Sequence, residues 1–277
     1  MMHAIEDLIQ LALKEDIGPG DITTDNLVAP DTRGRGRIVA KQDLVAAGLQ
    51  VAEKVFRALE PQIVFKALYA DGDRIPAFRT VVKIEGTLGT LLRGERTALN
   101  FLQRMSGIAT QTRTFVEEVA GTSVKLVDTR KTTPGWRTLE KYAVRTGGAH
   151  NHRMGLYDGV LVKDNHIAVS GGIVNAVEKV RQKISHLIKV EVEAATFEDV
   201  KAALAAGADV IMLDNMDLDQ IRQAVLLIGK RALVEVSGNV TREILKELAQ
   251  TGVDLISIGA LTHSAVAVDL SMKIETC

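Results

Sequence analysis

Five basic side chains stand out for the chemistry they could do together. Arg130 and Lys131 end one apolar run, His152 and Arg153 lie in the glycine-rich stretch GGAHNHRMG, and Lys163 ends the next run. An arginine fork matches a carboxylate or phosphate at two points, and lysine adds a compact point charge. Such a set implies a ligand with several negative charges. The same cations could instead be engaged by Asp128, Asp164, Glu193 and Asp214. Both can hold at once, because acids on a shared rim can orient the bases.

Two later stretches suit phosphate, Ser237-Gly238-Asn239-Val240-Thr241 and Gly259-Ala260-Leu261-Thr262-His263-Ser264, each ahead of a helical pattern. Glycine lets backbone N–H groups approach an anion, and a helix amino end favours negative charge. Two such turns after the last two strands describe the phosphate site of a parallel barrel, although glycine is also ordinary turn chemistry. Glu193 and Asp214 end neighbouring runs, where carboxylates can accept from sugar hydroxyls or hold a magnesium ion that keeps most of its waters. A phosphorylated sugar satisfies both features. A glycosidase acid and base pair would leave the five basic groups idle.

Other signals are weaker. His150-Asn151-His152 is an H-x-H element, but no apolar run leads into it and neither cysteine nor His166 and His263 completes a metal-hydrolase ligand set. Alternating Arg33, Arg35 and Arg37 read as one face of an edge strand rather than a nucleic-acid arm. Trp136 follows Pro134-Gly135 at an expected helix start, where packing is its default role.

Strands must carry these residues to one place. From residue 123 the chain shows six short apolar runs, SVKLVDTR, GVLVKDN, IKVEVEA, DVIMLDN, LVEVSG and LISIGA, with amphipathic patterns such as FEDVKAALAAG and TREILKELAQTG between them. That alternation predicts parallel βα units, and the near-regular period favours a barrel over an open sheet. Six strands fall short of the eight of a closed barrel, so an incomplete one is expected. Strand ends in such a barrel face the functional rim, and nearly every run here ends in a charged group or a glycine. The first hundred residues read differently, with a helix bearing Ile5, Leu8, Ile9 and Ala12, strands such as RGRIVAKQ and RTVVKIEG, and the helical LQVAEKVFRALE. Residues 94–119 predict one or two helices, with Gly107 a candidate break.

Composition sets limits. The chain has 277 residues, 34 basic and 35 acidic, for a formal charge of −1. Global charge therefore points to neither nucleic acid nor membrane as partner. Cys277 is the only cysteine, which excludes a disulfide framework within one chain and fits a reducing compartment. No run is long and apolar enough for a membrane span, and the acidic amphipathic start is unlike a signal peptide. The chain reads as soluble and cytoplasmic.

The motifs EDIGPGDITT, GERTALNFLQRMSGIAT, DTRKTTPGWR, NHRMGLYDGVLVKDNHI, VEVE, IMLDN, EVSGNV and SIGALTHS, in this order, cover nearly the whole chain. In them the chain resembles the quinolinate phosphoribosyltransferase family, also called nicotinate-nucleotide pyrophosphorylase (carboxylating). The resemblance implies an amino-terminal α/β sandwich over residues 1–108 and an incomplete parallel α/β barrel over 109–277, whose last residues return to the first domain. It implies transfer of a phosphoribosyl group from phosphoribosyl pyrophosphate to quinolinate, with magnesium, giving nicotinate mononucleotide, pyrophosphate and carbon dioxide. By the same resemblance Arg130, His152, Arg153 and Lys163 surround quinolinate, Thr129 is a further substrate-binding residue, and Arg96 of the GER motif reaches the partner subunit's site in a homodimer or larger assembly. Lys131 and His263 face pyrophosphate. Glu193 and Asp214 meet the ribose and a water-bridged magnesium, while Ser237, Gly238, Asn239 and Gly259 cradle the 5-phosphate. Lys131, Lys163, Glu193 and Asp214 form the implied catalytic set.

Departures from the family pattern are Ala149 and Asn239, each standing where a glycine is common. DTRKTT also differs from the phosphoribosyl-binding signature of the larger transferase class, which carries paired acids where this chain has Asp128 alone. Two rivals share the architecture: a homologue associated with molybdenum transport and a non-catalytic phosphate-ligand barrel. Retention of DTRKTTPG and NHR favours quinolinate.

Overall fold

The computed structural model describes residues 2–276, so Met1 and Cys277 lie outside the described residues. The chain runs α1 (Met2–Ile17), α2 (Ile22–Leu27), β1 (Arg33–Ala40), β2 (Leu44–Val45), α3 (Leu49–Leu59), β3 (Val64–Ala67), β4 (Arg74–Ile75), β5 (Thr80–Thr87) and α4 (Leu88–Glu118). There follow β6 (Lys125–Val127), α5 (Arg137–Gly147), β7 (Val160–Val162), α6 (Asp164–Ser170), α7 (Ile173–Arg181), β8 (Val190–Ala194) and α8 (Phe197–Ala205). The last elements are β9 (Val210–Asp214), α9 (Leu218–Ile228), β10 (Leu233–Ser237), α10 (Leu245–Ala249), β11 (Leu255–Ser257), α11 (Ala260–His263) and β12 (Leu270–Thr276). No described helix is long and apolar enough to cross a membrane.

Two compact units form. The first comprises residues 1–113, 132–148 and 261–277, and the second 114–131 and 149–260. The resemblance places one cut after residue 108 with the last residues returning to the first domain; packing groups the chain from residue 261 with the amino-terminal part, where β12 pairs antiparallel with β1, and groups α5 with it as well.

In the first unit the sheet order is β12-β1-β5-β3. β1 is therefore an interior strand, which corrects the edge-strand expectation for its arginines. Its small and apolar residues are buried in alternation while Arg33, Arg35 and Arg37 face solvent. There Arg35 pairs with Glu85 at 3.3 Å and Arg37 with Glu275 at 3.8 Å. Cross-strand acids thus account for this charge, with no nucleic acid required.

α4 is one continuous helix of 31 residues and does not break at Gly107. The glycine serves close approach instead: a Cβ there would collide with the Val266 carbonyl oxygen. Trp136 stacks on Phe101 with ring centroids 4.8 Å apart, so packing is its role.

The second unit holds the parallel sheet β6-β11-β10-β9-β8-β7, the six runs read from the sequence. A single parallel bridge, Val127 to His150, adds the start of a further rung beside β6. Helices between the strands begin where side chains satisfy their free N–H groups: Thr196 and Asp199 form a capping box for α8, and Asp217 and Gln220 another for α9. Lateral partners in a sheet share a face, so the pairings Leu161 with Glu191, Glu193 with Met212, Glu235 with Met212 and Ser237 with Asp214 put all these side chains on one surface. That surface carries the site.

Candidate active site

The inner face is built in two levels. At the strand ends stand Lys163, Glu193, Asp214 and Ser237; one step below lie Glu191 and Glu235, which are 7% and 1% exposed. Period-two alternation explains why VEVE sends both of its acids to the same side.

At the upper level Lys163 Nζ is 3.8 Å from Glu193 Oε2. Burial and the facing Asp214 raise the Glu193 carboxyl above the usual range, with Lys163 opposing. Two carboxylates held together, one of them half-buried, offer hard oxygen donors suited to sugar hydroxyls or to a hydrated magnesium ion. Beside β7, His166 folds back so that its Nδ1 accepts from the Lys163 N–H at 3.1 Å, which fixes the backbone from which the lysine projects.

Next to Asp214 the chain makes the turn expected to hold phosphate. Gly238 has φ +97° and Asn239 φ +48°, two consecutive residues at positive φ. A Cβ at Gly238 would collide with Asn215 Oδ1, so only glycine fits. Asn215 Nδ2 donates to Asp214 Oδ2 at 2.7 Å, and the Asn215 N–H donates to the Ser237 carbonyl at 3.1 Å. The helix expected directly after this turn starts only at Leu245, and α11 after Gly259 has four residues. Turn N–H groups and the Ser237 hydroxyl are therefore the donors present, rather than a long helix dipole.

The NHR loop is anchored from below. Asp128, fully buried, accepts from Asn151 Nδ2 at 2.6 Å and from the His152 N–H at 2.9 Å. Arg153 Nη1 donates to the Gly159 carbonyl at 2.9 Å. Burial and the nearby Arg130 lower the Arg153 guanidinium below its ordinary range, with Glu191 opposing.

His152, Glu191 and Glu235 form a cluster whose candidate ligand atoms lie within 4.8 Å of one another. The hydrogen bonds decide what it does. The Arg153 N–H donates to His152 Nδ1 at 2.8 Å, so the ring proton sits on Nε2, which donates to Glu191 Oε2 at 2.9 Å. A metal on Nε2 would need the proton on Nδ1, where it would collide with that amide. The cluster therefore holds protons. His152, expected among the cations around the ligand, is held neutral and orients the amide of Arg153. Burial and the Glu191 carboxylate push the Glu235 carboxyl up to about 8.

The strand ends thus bring Thr129, Arg130, Lys131, His152, Arg153, Lys163, Glu193, Asp214, Ser237, Gly238, Asn239 and Gly259 into the second unit. Arg96, exposed on α4, and His263, at the end of α11, belong to the first. His263 Nδ1 is 2.8 Å from Ser264 Oγ.

Comparison with known proteins gives the family. Residues 21–106 match the model of the quinolinate phosphoribosyl transferase N-terminal domain, and residues 108–273 that of the C-terminal domain. The chain belongs to the quinolinate phosphoribosyltransferase family. It is 46% identical over 273 residues to a probable nicotinate-nucleotide pyrophosphorylase [carboxylating] of Synechocystis, covering 98% of this chain and 92% of that one. A Bacillus subtilis protein of the same name is 43% identical, over 98% and 93%. Among solved structures, NadC from Streptococcus pyogenes superposes with a TM-score of 0.96 at 40% identity, covering 100% of this chain and 98% of that one.

Both departures from the family pattern fit locally. Asn239 takes a left-handed φ that asparagine tolerates better than most residues. Ala149 is outside the positive-φ residues and buries its methyl. In sequence, Glu191 and Glu235 are strand-end acids without a role. Their burial, set by sheet register, is what distinguishes them from Glu193.

Proposed function

We propose that the rim of the second unit carries out the family's reaction, the displacement of pyrophosphate from phosphoribosyl pyrophosphate by the ring nitrogen of quinolinate, followed by loss of carbon dioxide. The observation that carries this reading is the single strand-end surface on which Lys163 Nζ lies 3.8 Å from Glu193 Oε2, beside Asp214 and the Ser237 turn. A dicarboxylate suits the guanidinium groups with Lys163, and a phosphorylated sugar suits the acids with the Ser237-Gly238-Asn239 turn.

Little covalent work falls to side chains. The pyridine nitrogen lone pair forms the bond to C1 of the ribose as the bond from C1 to the pyrophosphate oxygen breaks, through a transition state with oxocarbenium character. Fixed charge and positioning supply the acceleration. Arg130, Arg153 and Lys163 hold the two carboxylates so that the nitrogen faces C1, and His152 orients Arg153. Glu193 and Asp214 accept from the ribose hydroxyls and stabilise positive charge growing on the ring oxygen and C1. Lys131 and His263 neutralise the departing pyrophosphate. Glu193 and Asp214 would hold a hydrated magnesium ion, which would supply further charge neutralisation to the phosphates. Once nitrogen bears its positive charge, the adjacent carboxylate leaves as carbon dioxide. Its electron pair remains on the ring carbon until a proton from solvent takes it.

Arg96 is assigned to the site of a partner subunit, in a homodimer or larger assembly. The test is direct: protein, quinolinate, phosphoribosyl pyrophosphate and magnesium are mixed, and nicotinate mononucleotide is followed chromatographically with released carbon dioxide. Product is expected, and Arg130→Ala or Arg153→Ala should abolish it. Binding of both substrates without turnover would sink the enzymatic reading in favour of a binding barrel. Failure to bind quinolinate would favour the transport-associated homologue.

A further inference from the structure

The first unit contains a charged pair that the reaction leaves unused. Glu140, on α5, is fully buried, and Arg104, on α4, has a side chain 26% exposed. Arg104 Nη2 and Nε donate to Glu140 Oε1 at 2.9 and 3.3 Å. The remaining side-chain bonds of the pair go to two segments outside α4 and α5. Arg104 Nη2 donates to the Thr262 carbonyl at 2.7 Å and Nη1 to the Ala265 carbonyl at 2.6 Å. Glu140 accepts the Thr133 hydroxyl at 2.8 Å on Oε1 and the Thr133 N–H at 3.1 Å on Oε2.

The two carbonyls bracket His263, and Thr133 stands two residues after Lys131. One ion pair therefore grips the backbone on both sides of one residue assigned to pyrophosphate and just beyond the other. The Thr133 segment is secured further by Arg137 Nε, which donates to Thr132 Oγ1 at 2.9 Å, and by the stack of Trp136 on Phe101. Lys131 and His263 are themselves exposed. Their long or rotatable side chains can act at a defined point only if the backbone beneath is immobile. A buried ion pair is a poor source of net stability, because desolvation offsets its Coulomb gain, yet it tolerates few alternative geometries. That combination suits a device for placement more than one for strength.

We propose that Arg104 and Glu140 are positioning residues for the pyrophosphate side of the reaction, acting through the backbone of His263 and the segment that follows Lys131. The inference rests on the assignment of Lys131 and His263 made above. Arginine is required because three directions must be satisfied by one planar group; lysine retains the charge but cannot span the carboxylate and both carbonyls.

The test uses the full-length enzyme with Arg104→Lys, Glu140→Gln, His263→Ala, Lys131→Ala and the double variant Arg104→Lys/His263→Ala. Arg104→Lys should lower kcat about tenfold or more and raise KM for phosphoribosyl pyrophosphate, while quinolinate affinity stays within about twofold. Glu140→Gln, which retains an acceptor for Thr133, should act in the same direction and guards against a misfolded lysine variant. Hydrogen exchange should accelerate in residues 132–136 and 261–268. In the His263→Ala background Arg104→Lys should cost much less than it does alone, since part of what it positions is already gone.

Wild-type kinetics in folded Arg104→Lys, unchanged exchange in both segments, or equal effects on both substrates would overturn the proposal, as would full additivity with His263→Ala. If instead Lys131→Ala and His263→Ala themselves leave phosphoribosyl pyrophosphate kinetics intact, the role assignment falls and takes this inference with it. The single variants thus distinguish the two failures.

Discussion

Glu235→Gln removes one ionisable proton from the floor of the site and leaves its shape almost unchanged. The carboxyl is 1% exposed, Glu191 and His152 are its neighbours, and its pKa is pushed from 4.5 up to about 8. A raised folded-state pKa means that the native protein binds more protons than the unfolded chain between those values. Stability therefore falls as pH rises from about 5 through 8 and levels off above. Each pKa unit corresponds to about 1.4 kcal/mol, so the shift sets a ceiling of roughly 5 kcal/mol on the loss attributable to this group. The substituted amide cannot ionise, so the variant should lose that slope. Denaturant midpoints at pH 5.5 and 8.5, for wild type and variant, should show a wild-type decline that is smaller in Glu235→Gln by about 1–3 kcal/mol. Parallel pH profiles would refute the reasoning, because they would mean that Glu235 ionises in the native state as readily as in the unfolded chain.

Lys163→Ala should weaken quinolinate binding by roughly tenfold or more, the worth of one charge-assisted contact, and leave phosphoribosyl pyrophosphate binding within about threefold. Calorimetry with the opposite order would reject that assignment. Arg96→Ala should be inactive yet folded, and mixing it with inactive Arg153→Ala should restore some activity if Arg96 acts across subunits; no rescue in proven mixed assemblies would exclude that arrangement. Gly107→Ala should destabilise by roughly 1–3 kcal/mol in denaturant unfolding because its Cβ would meet the Val266 carbonyl, although helix propensity alone predicts a gain of about 1 kcal/mol. A stabilised variant would show that the segment yields easily.

Much of the site is legible in the sequence because strand and turn chemistry are local. Six apolar runs, each ending in charge or glycine, define the parallel strands and the rim. Alternation within VEVE puts Glu191 and Glu193 on one face, and the glycine at 238 marks a turn. The ordered motifs, from DTRKTTPG to SIGALTHS, carry the family. What stays hidden depends on partners distant along the chain.

β1 reads as an edge strand until β12, more than two hundred residues away, pairs with it. Gly107 reads as a helix break until the Val266 backbone is seen against it. Arg104 and Glu140 are ordinary helix residues in sequence, and only tertiary contacts show one carboxylate and one guanidinium gripping two separate segments. His152 reads as a cation, and its neutral tautomer follows from a neighbouring amide and a buried acid on another strand. Residue type and periodicity thus determined which chemistry was possible and which face would carry it. Burial and the direction of individual hydrogen bonds, which depend on nonlocal packing, decided which acids stay protonated and which side chains position the others.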